Sequence, residues 1–262
     1  MSLHFAVISL VWCLTATPAL SQTFSGFEPA TSNPLIVAWE DTPLNYSGQL
    51  LSVDFLNGKG LPTVGLPTTA ECNGTYILLV VDPDAIQGDI ETQAGLHTIQ
   101  GNFTCDSGNI STISNTTFLP LSSESEPLAP YIEPEPQAQE QVVTHRYTLL
   151  LFNQPDNYSV PNTLSYALAL DPSDVTNRLN FNIPEFSESV GDSIVAGTYF
   201  DVDSPKAEST STSTATPSTP TASASSTPDS GASGSGNLSG AMAIVIIAQC
   251  IIAVAYMGCV FS

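Results

Sequence analysis

The chain has 262 residues, with 4 Lys+Arg against 25 Asp+Glu and a formal net charge of −21. That length fits one medium domain with appendages, or two small domains. So acidic a balance argues against nucleic-acid binding, which needs a cationic footprint, and against docking on anionic lipid through a polybasic patch. Charged residues make up only 11% of the chain, against roughly 25% in an ordinary soluble domain, so something besides charge must keep the surface wet.

Residues 5–14 form an apolar run too short to span a bilayer, followed by Ala19, Leu20 and Ser21 as a small-residue cleavage pattern. Residues 1–21 are read as a secretory signal peptide, with a buried N-terminal helix as the alternative. Residues 22–204 form the expected folded domain. Residues 205–236 are dominated by Ser, Thr, Ala, Pro and Gly, which cannot bury enough apolar surface to fold and match an O-glycosylated stalk. Residues 237–262 hold an apolar stretch with only Ser262 after it and no basic residue to stop transfer. Small residues, a spacer and this tail predict a GPI-attachment signal, with Ser230 or Gly231 favoured as the attachment site and Gly234 or Asn237 as alternatives. A single-pass tail anchor is the competing reading.

Within residues 22–204 the pattern is mainly β. Residues 76–81 and 147–152 are short apolar runs stopped by turn residues, as buried strands are. Residues 50–55 and 164–170 alternate and are read as strands. Residues 177–186 are expected to hold one short helix that Pro184 interrupts. N-x-S/T sequons at Asn45, Asn73, Asn102, Asn109, Asn115 and Asn157, with another at Asn237, offer glycans as the missing surface polarity. Of the five cysteines, Cys13, Cys250 and Cys259 leave with the terminal signals, so Cys72 and Cys105 are inferred to pair, two free buried thiols being the alternative.

Four segments then stand out. Asp82, Pro83, Asp84 and Ala85 make an acidic turn after a strand. Gly95, Leu96 and His97 follow. Pro130, Tyr131, Pro134 and Pro136 precede Thr144, His145, Arg146 and Tyr147. Last come Arg178, Phe181, Asn182 and Phe186, with residues 195–200. In this order the chain resembles the phosphatidylethanolamine-binding protein family over about residues 34–202. The resemblance implies a large antiparallel sheet packed on a smaller one, with few short helices and a small anion pocket at one end. Its pocket roles fall on Asp82, His97, His145 and Tyr147. It further implies a phosphate-like or lipid-headgroup ligand, or a secreted protease as partner, and no cofactor or enzyme activity.

The residues themselves agree with part of this. Side chains two apart on a strand share a face, so His145 and Tyr147 point one way and Arg146 the other. Tyr76, Leu78, Val80 and Asp82 share a face in the same manner. Two protonated histidines would let anion binding strengthen as pH falls through about 6.5, and His145→Ala is expected to hurt more than His97→Ala. The sequence also departs from the family pattern: Ile86 stands for proline, Thr98 for an aromatic, Glu133 for glycine and Gln137 for proline. Glu133 and Glu135 near the pocket would repel a phosphate. Three function classes compete: a binding module, a protease inhibitor, and a wall glycoprotein with a vestigial pocket. A mixed metal site of Asp82, Asp84, His97 and His145 is the weaker chemical alternative, as no ligand spacing supports it. No G-x-S-x-G elbow or Gly-rich phosphate loop points to an enzyme.

Overall fold

The computed structural model describes residues 22–207, apart from 88–89, 92–93, 106–107 and 169–175. The signal peptide, nearly all of the stalk with Ser230 and Gly231, and the GPI-attachment signal with Asn237 lie outside the described residues.

In chain order the strands are β1 (Ile36–Trp39), β2 (Thr42–Pro43), β3 (Gln49–Leu51), β4 (Thr63–Pro67), β5 (Thr75–Asp82), β6 (Ile86–Gln87) and β7 (Ile90–Glu91). They continue as β8 (Gly95–Cys105), β9 (Ser111–Ile113), β10 (Thr116–Ser122), β11 (Thr144–Asn153) and β12 (Ile194–Asp203). Ten of them make one sheet in the order β2-β1-β4-β10-β8-β5-β11-β12-β3, with β9 on β10, while β6 and β7 pair alone. Every pairing in the large sheet is antiparallel except β12 with β3, which makes the sheet mixed.

The sheet folds on itself. β10 meets β8 only through Leu121–Cys105 and Ser122–Thr104, a short corner. Beyond it, β1 and β4 lie over β11 and β12, so Trp39 meets Phe200 edge-on at 5.1 Å. Leu35, Val37, Val64, Leu78, Leu149 and Leu151 fill the space between these two layers. Burying one such side chain contributes roughly 1.5–3 kcal/mol, so this interlayer core is a large part of the stability. The other face of β5 and β11, carrying Ile77, Leu79, Leu150 and Phe152, is covered by Phe181, Phe186, Leu164 and Phe27. β5 and β11 are therefore buried on both faces, which is why they read as continuous apolar runs. The Cys72–Cys105 disulfide is present, with Cα atoms 5.8 Å apart, beside the corner where β8 leaves for β10.

Three expected elements come out differently. Residues 50–55 are not one strand: β3 ends at Leu51, Ser52 caps the amide of Phe55, and Val53–Leu56 forms a short helix, α1. The strand expected over residues 164–170 is absent from its described part, because Asn162–Ala167 is a 3-10 turn that buries Leu164 and Ala167 three residues apart, while residues 169–170 lie outside the described residues. Ser165 donates to the Asn162 carbonyl at 2.7 Å, a local bond that competes with strand pairing. Pro184 opens a helix instead of interrupting one. Asn182 caps Ile183–Ser189, here α2, and proline is tolerated in that first turn, where the amide has no partner. The six sequon asparagines between residues 45 and 157 are all exposed. No helix among the described residues is long and apolar enough to cross a membrane.

Candidate ligand-binding site

The site begins where β5 ends. Asp82 Oδ1 accepts the Asp84 amide at 2.9 Å, and Pro83 between them presets the turn. The chain returns at Gly95, paired with Asp82, where an added Cβ would lie 3.0 Å from the Ala85 methyl, so glycine suits this close approach. Val81 pairs with Leu96 and Val80 with Thr98, which leaves His97 as the extra residue of a β-bulge. Bulges re-aim side chains, and this one turns His97 into the cavity between Leu96 and the buried Thr98.

β11 supplies the opposing wall. His145 and Tyr147 share the face that Tyr76, Leu78 and Val80 present on β5, as the two-residue period requires. His145 Nδ1 lies 2.8 Å from Asp82 Oδ2, with both side chains buried. Tyr147 stacks on Phe200 at 5.4 Å and meets His97 edge-on at 4.9 Å, so three rings fix one another. His97 Nδ1 lies 2.7 Å from the Ile132 carbonyl, making Nδ1 the protonated nitrogen of the neutral ring and leaving Nε2 as its remaining polar atom. All four residues that the resemblance singled out thus line one cavity of about 530 Å³. That size suits a small ligand.

The two histidines do not titrate alike, contrary to the expectation from sequence. Burial pushes the His97 imidazole below its ordinary value; Asp82 and the Ile132 carbonyl oppose this only in part, and Arg178 and His145 add to it. Burial also pushes His145 down, but the hydrogen bond and charge of Asp82, with Asp84 behind it, overcome that and hold it above its ordinary value. Tyr147 is held neutral, first by burial and then by the Asp82 charge.

Of the lining groups not assigned to the site from sequence, three matter most. Arg178 is buried, donates to the Pro130 carbonyl at 3.2 Å and brings a positive charge, though burial lowers its proton affinity. Only 4 Lys+Arg exist in the chain, so a basic residue within the fourth motif was the available signal. Val53 comes from α1, which the strand reading hid, and Pro205 comes from the segment after β12. Glu133 lines the cavity but does not aim its whole charge at it, since its carboxylate accepts the amides of Gly58 at 2.9 Å and Gly60 at 3.4 Å. Glu135 is exposed at the rim. Asp84, offered as a metal ligand with Asp82, turns the other way. It takes the Arg146 amide at 3.0 Å and Nε at 2.8 Å on the opposite face of β11. Among the described residues no cluster fit for a metal ion is found.

Residues 37–210 match the family model "Phosphatidylethanolamine-binding protein". The chain is 28% identical over 199 residues to phomoidride biosynthesis cluster protein N of Talaromyces stipitatus, covering 71% of this chain and 92% of that one. Among solved structures it is similar to a carboxypeptidase Y inhibitor complexed with its cognate proteinase, at 16% identity and TM-score 0.48, over 68% of this chain and 85% of that one. It is also similar to the phosphatidylethanolamine-binding protein from Plasmodium vivax, at 17% identity and TM-score 0.44, over 67% and 90% of the two chains. The matched span contains Asp82, His97, His145 and Tyr147, and this chain belongs to the phosphatidylethanolamine-binding protein family.

Proposed function

We propose that this protein is a secreted, GPI-anchored, glycosylated family member that holds a small zwitterionic or anionic ligand of lipid-headgroup type in the cavity, and acts by binding it, not by turning it over. The observation that carries the reading is the cavity itself, in which a buried Asp82–His145 pair, His97, Tyr147 and Arg178 converge. A protonated His145 is cancelled by Asp82, so the charge offered to a ligand is that of Arg178 and, when protonated, His97. Glu135 at the rim, with the part of the Glu133 charge that the Gly58 and Gly60 amides leave free, opposes a bare phosphate and complements an amine, which favours a ligand carrying both signs.

The pH dependence then rests on His97. Its proton is taken up only below the ordinary histidine value of about 6.5, and uptake adds one positive charge and one donor. Binding of phosphoethanolamine should strengthen as pH falls from 7.5 to 5.5, while acetate, lacking the amine, should bind more weakly throughout. Calorimetry of both compounds on wild type and His97→Gln checks this. Equal binding of the two compounds, or an unchanged pH slope in His97→Gln, would count against it. The signals and stalk support the surface location, and release of the protein from intact cells by phosphatidylinositol-specific phospholipase C tests it.

A further inference from the structure

His145 has two ring nitrogens, and the ligand reading leaves one unaccounted for. Nδ1 belongs to Asp82, and Nε2 lies 3.2 Å from the Gln139 side-chain amide. An amide can meet either state of that nitrogen: its NH2 donates to the neutral ring, and its carbonyl, after a flip, accepts from the protonated one. Gln139 therefore satisfies His145 at any pH.

Gln139 is itself fixed by backbone pairing. Its amide donates to the Pro205 carbonyl at 2.9 Å, and its carbonyl accepts the Ala207 amide at 2.7 Å, a short parallel bridge to Lys206. The same stretch starts where the Ser204 amide donates to the Val143 carbonyl at 2.8 Å and the Val143 amide donates to the Ser204 hydroxyl at 3.0 Å, just before β11, and its Pro205 lines the cavity. The other end of the Gln139 segment is held by the Ile132 amide on the His97 carbonyl at 2.9 Å. Residues 130–139 thus form a strap pinned to β8 at one end and to the chain leaving the domain at the other.

We infer that Gln139 withholds His145 from any ligand in the cavity by occupying its last hydrogen-bonding atom, and that the exit segment, residues 204–207, keeps Gln139 in place. With the strap closed, a ligand meets His97, Tyr147 and Arg178. With the exit segment pulled away or cut, it also meets the imidazole of the Asp82–His145 pair. The domain's link to its downstream chain would then set what the cavity recognises. The consequence for ligands rests on the reading of the cavity as a ligand site; the withholding itself does not.

Diethyl pyrocarbonate, which acylates accessible imidazole nitrogens, reports access without a ligand, and peptide mapping reads His97 and His145 separately. In the full chain at pH 8, wild type should be modified at His97 and protected at His145. Gln139→Ala should raise His145 modification at least tenfold. Gln139→Glu, whose carboxylate accepts from the protonated Nε2 in place of the NH2 that donates to the neutral one, should keep His145 protected and so separates uncapping from unfolding. Ala207→Pro, which deletes one clamping amide, should give an intermediate rise. Protection of His145 in Gln139→Ala would overturn the inference, and protection in Ala207→Pro alone would overturn the part assigned to the exit segment. At pH 6.5, adding phosphocholine, which carries both signs and no acylatable amine, should slow modification of His97 in wild type and of both histidines in Gln139→Ala. Failure to slow either, with His145 exposed by Gln139→Ala, would sink the ligand reading and leave the role of Gln139 standing.

Discussion

The two faces of β11 carry neighbouring cation–carboxylate pairs in opposite surroundings. On the cavity face, His145 and Asp82 sit with side chains 2% and 5% exposed. On the other face, Arg146 and Asp84 are 37% and 20% exposed, and the guanidinium also lies 3.8 Å from the Phe24 ring centroid. One Asp-Pro-Asp turn supplies both carboxylates. Both side chains of the buried pair are shielded from solvent, so its geometry is costly to disturb, and Asp82 holds the proton on His145 against the pull of burial. The outer pair has water and an aromatic face as substitutes, so it fastens the turn without tuning it. Burial, more than partner identity, decides which carboxylate shapes the site.

The sharpest way to break this contrast is to remove each carboxylate in turn. Asp82→Ala should cost about 3–5 kcal/mol, the range for stripping one partner from a buried ion pair. Asp84→Ala should cost about 1 kcal/mol or less, because Arg146 can hydrate. Urea unfolding of both variants checks the order, and equal losses would end the distinction. Replacing Cys72 and Cys105 together by alanine sharpens it from a distance. This opens a loop of 33 residues and should cost roughly 2–4 kcal/mol. The disulfide lies at the far end of β8 from His97, so both histidine titrations should stay where they are.

Smaller effects follow from pH. His97 is held low, so the unfolded chain takes up its proton first, and stability falls as pH drops below about 6.5. His145 is held high, so its contribution is complete below about 6.5 and is lost as pH rises through the folded value. Unfolding of His97→Gln should therefore lose less stability than wild type on the acid side. His145→Gln should lose less on the alkaline side. The same slope in both would mean that the two imidazoles share one environment.

How far the sequence foretold this differs between strands and rims. β5 and β11 were legible because burial on both faces writes a continuous apolar run, and the two-residue period then placed Asp82, His145 and Tyr147 on one side. The resemblance added His97. The direction of its side chain was not legible, because it depends on a bulge in the β5–β8 register, and one extra residue leaves no mark in a single sequence. α1 and the 3-10 turn at Asn162–Ala167 were misread for a related reason: alternation over five to seven residues also suits a short turn, and tertiary burial of Leu56, Leu164 and Ala167 decided the outcome. Glu133 was expected to face a ligand, yet the amides of Gly58 and Gly60, 75 and 73 residues away in sequence, draw its carboxylate aside. Such long-range satisfaction of a charge lies outside what local pattern can show.

A ligand held in the cavity as proposed has its charge met by Arg178 and His97, and not by His145. Nitrogen-15 spectra of the two imidazoles, recorded during titration with phosphoethanolamine at pH 5.5 and 7.5, test it most directly. The expected result is a shift of the His97 Nε2 resonance that saturates at lower ligand concentration at pH 5.5, with His145 nearly unmoved. Saturable shifts of His145 with His97 silent, or no shift of either at both pH values, would contradict it.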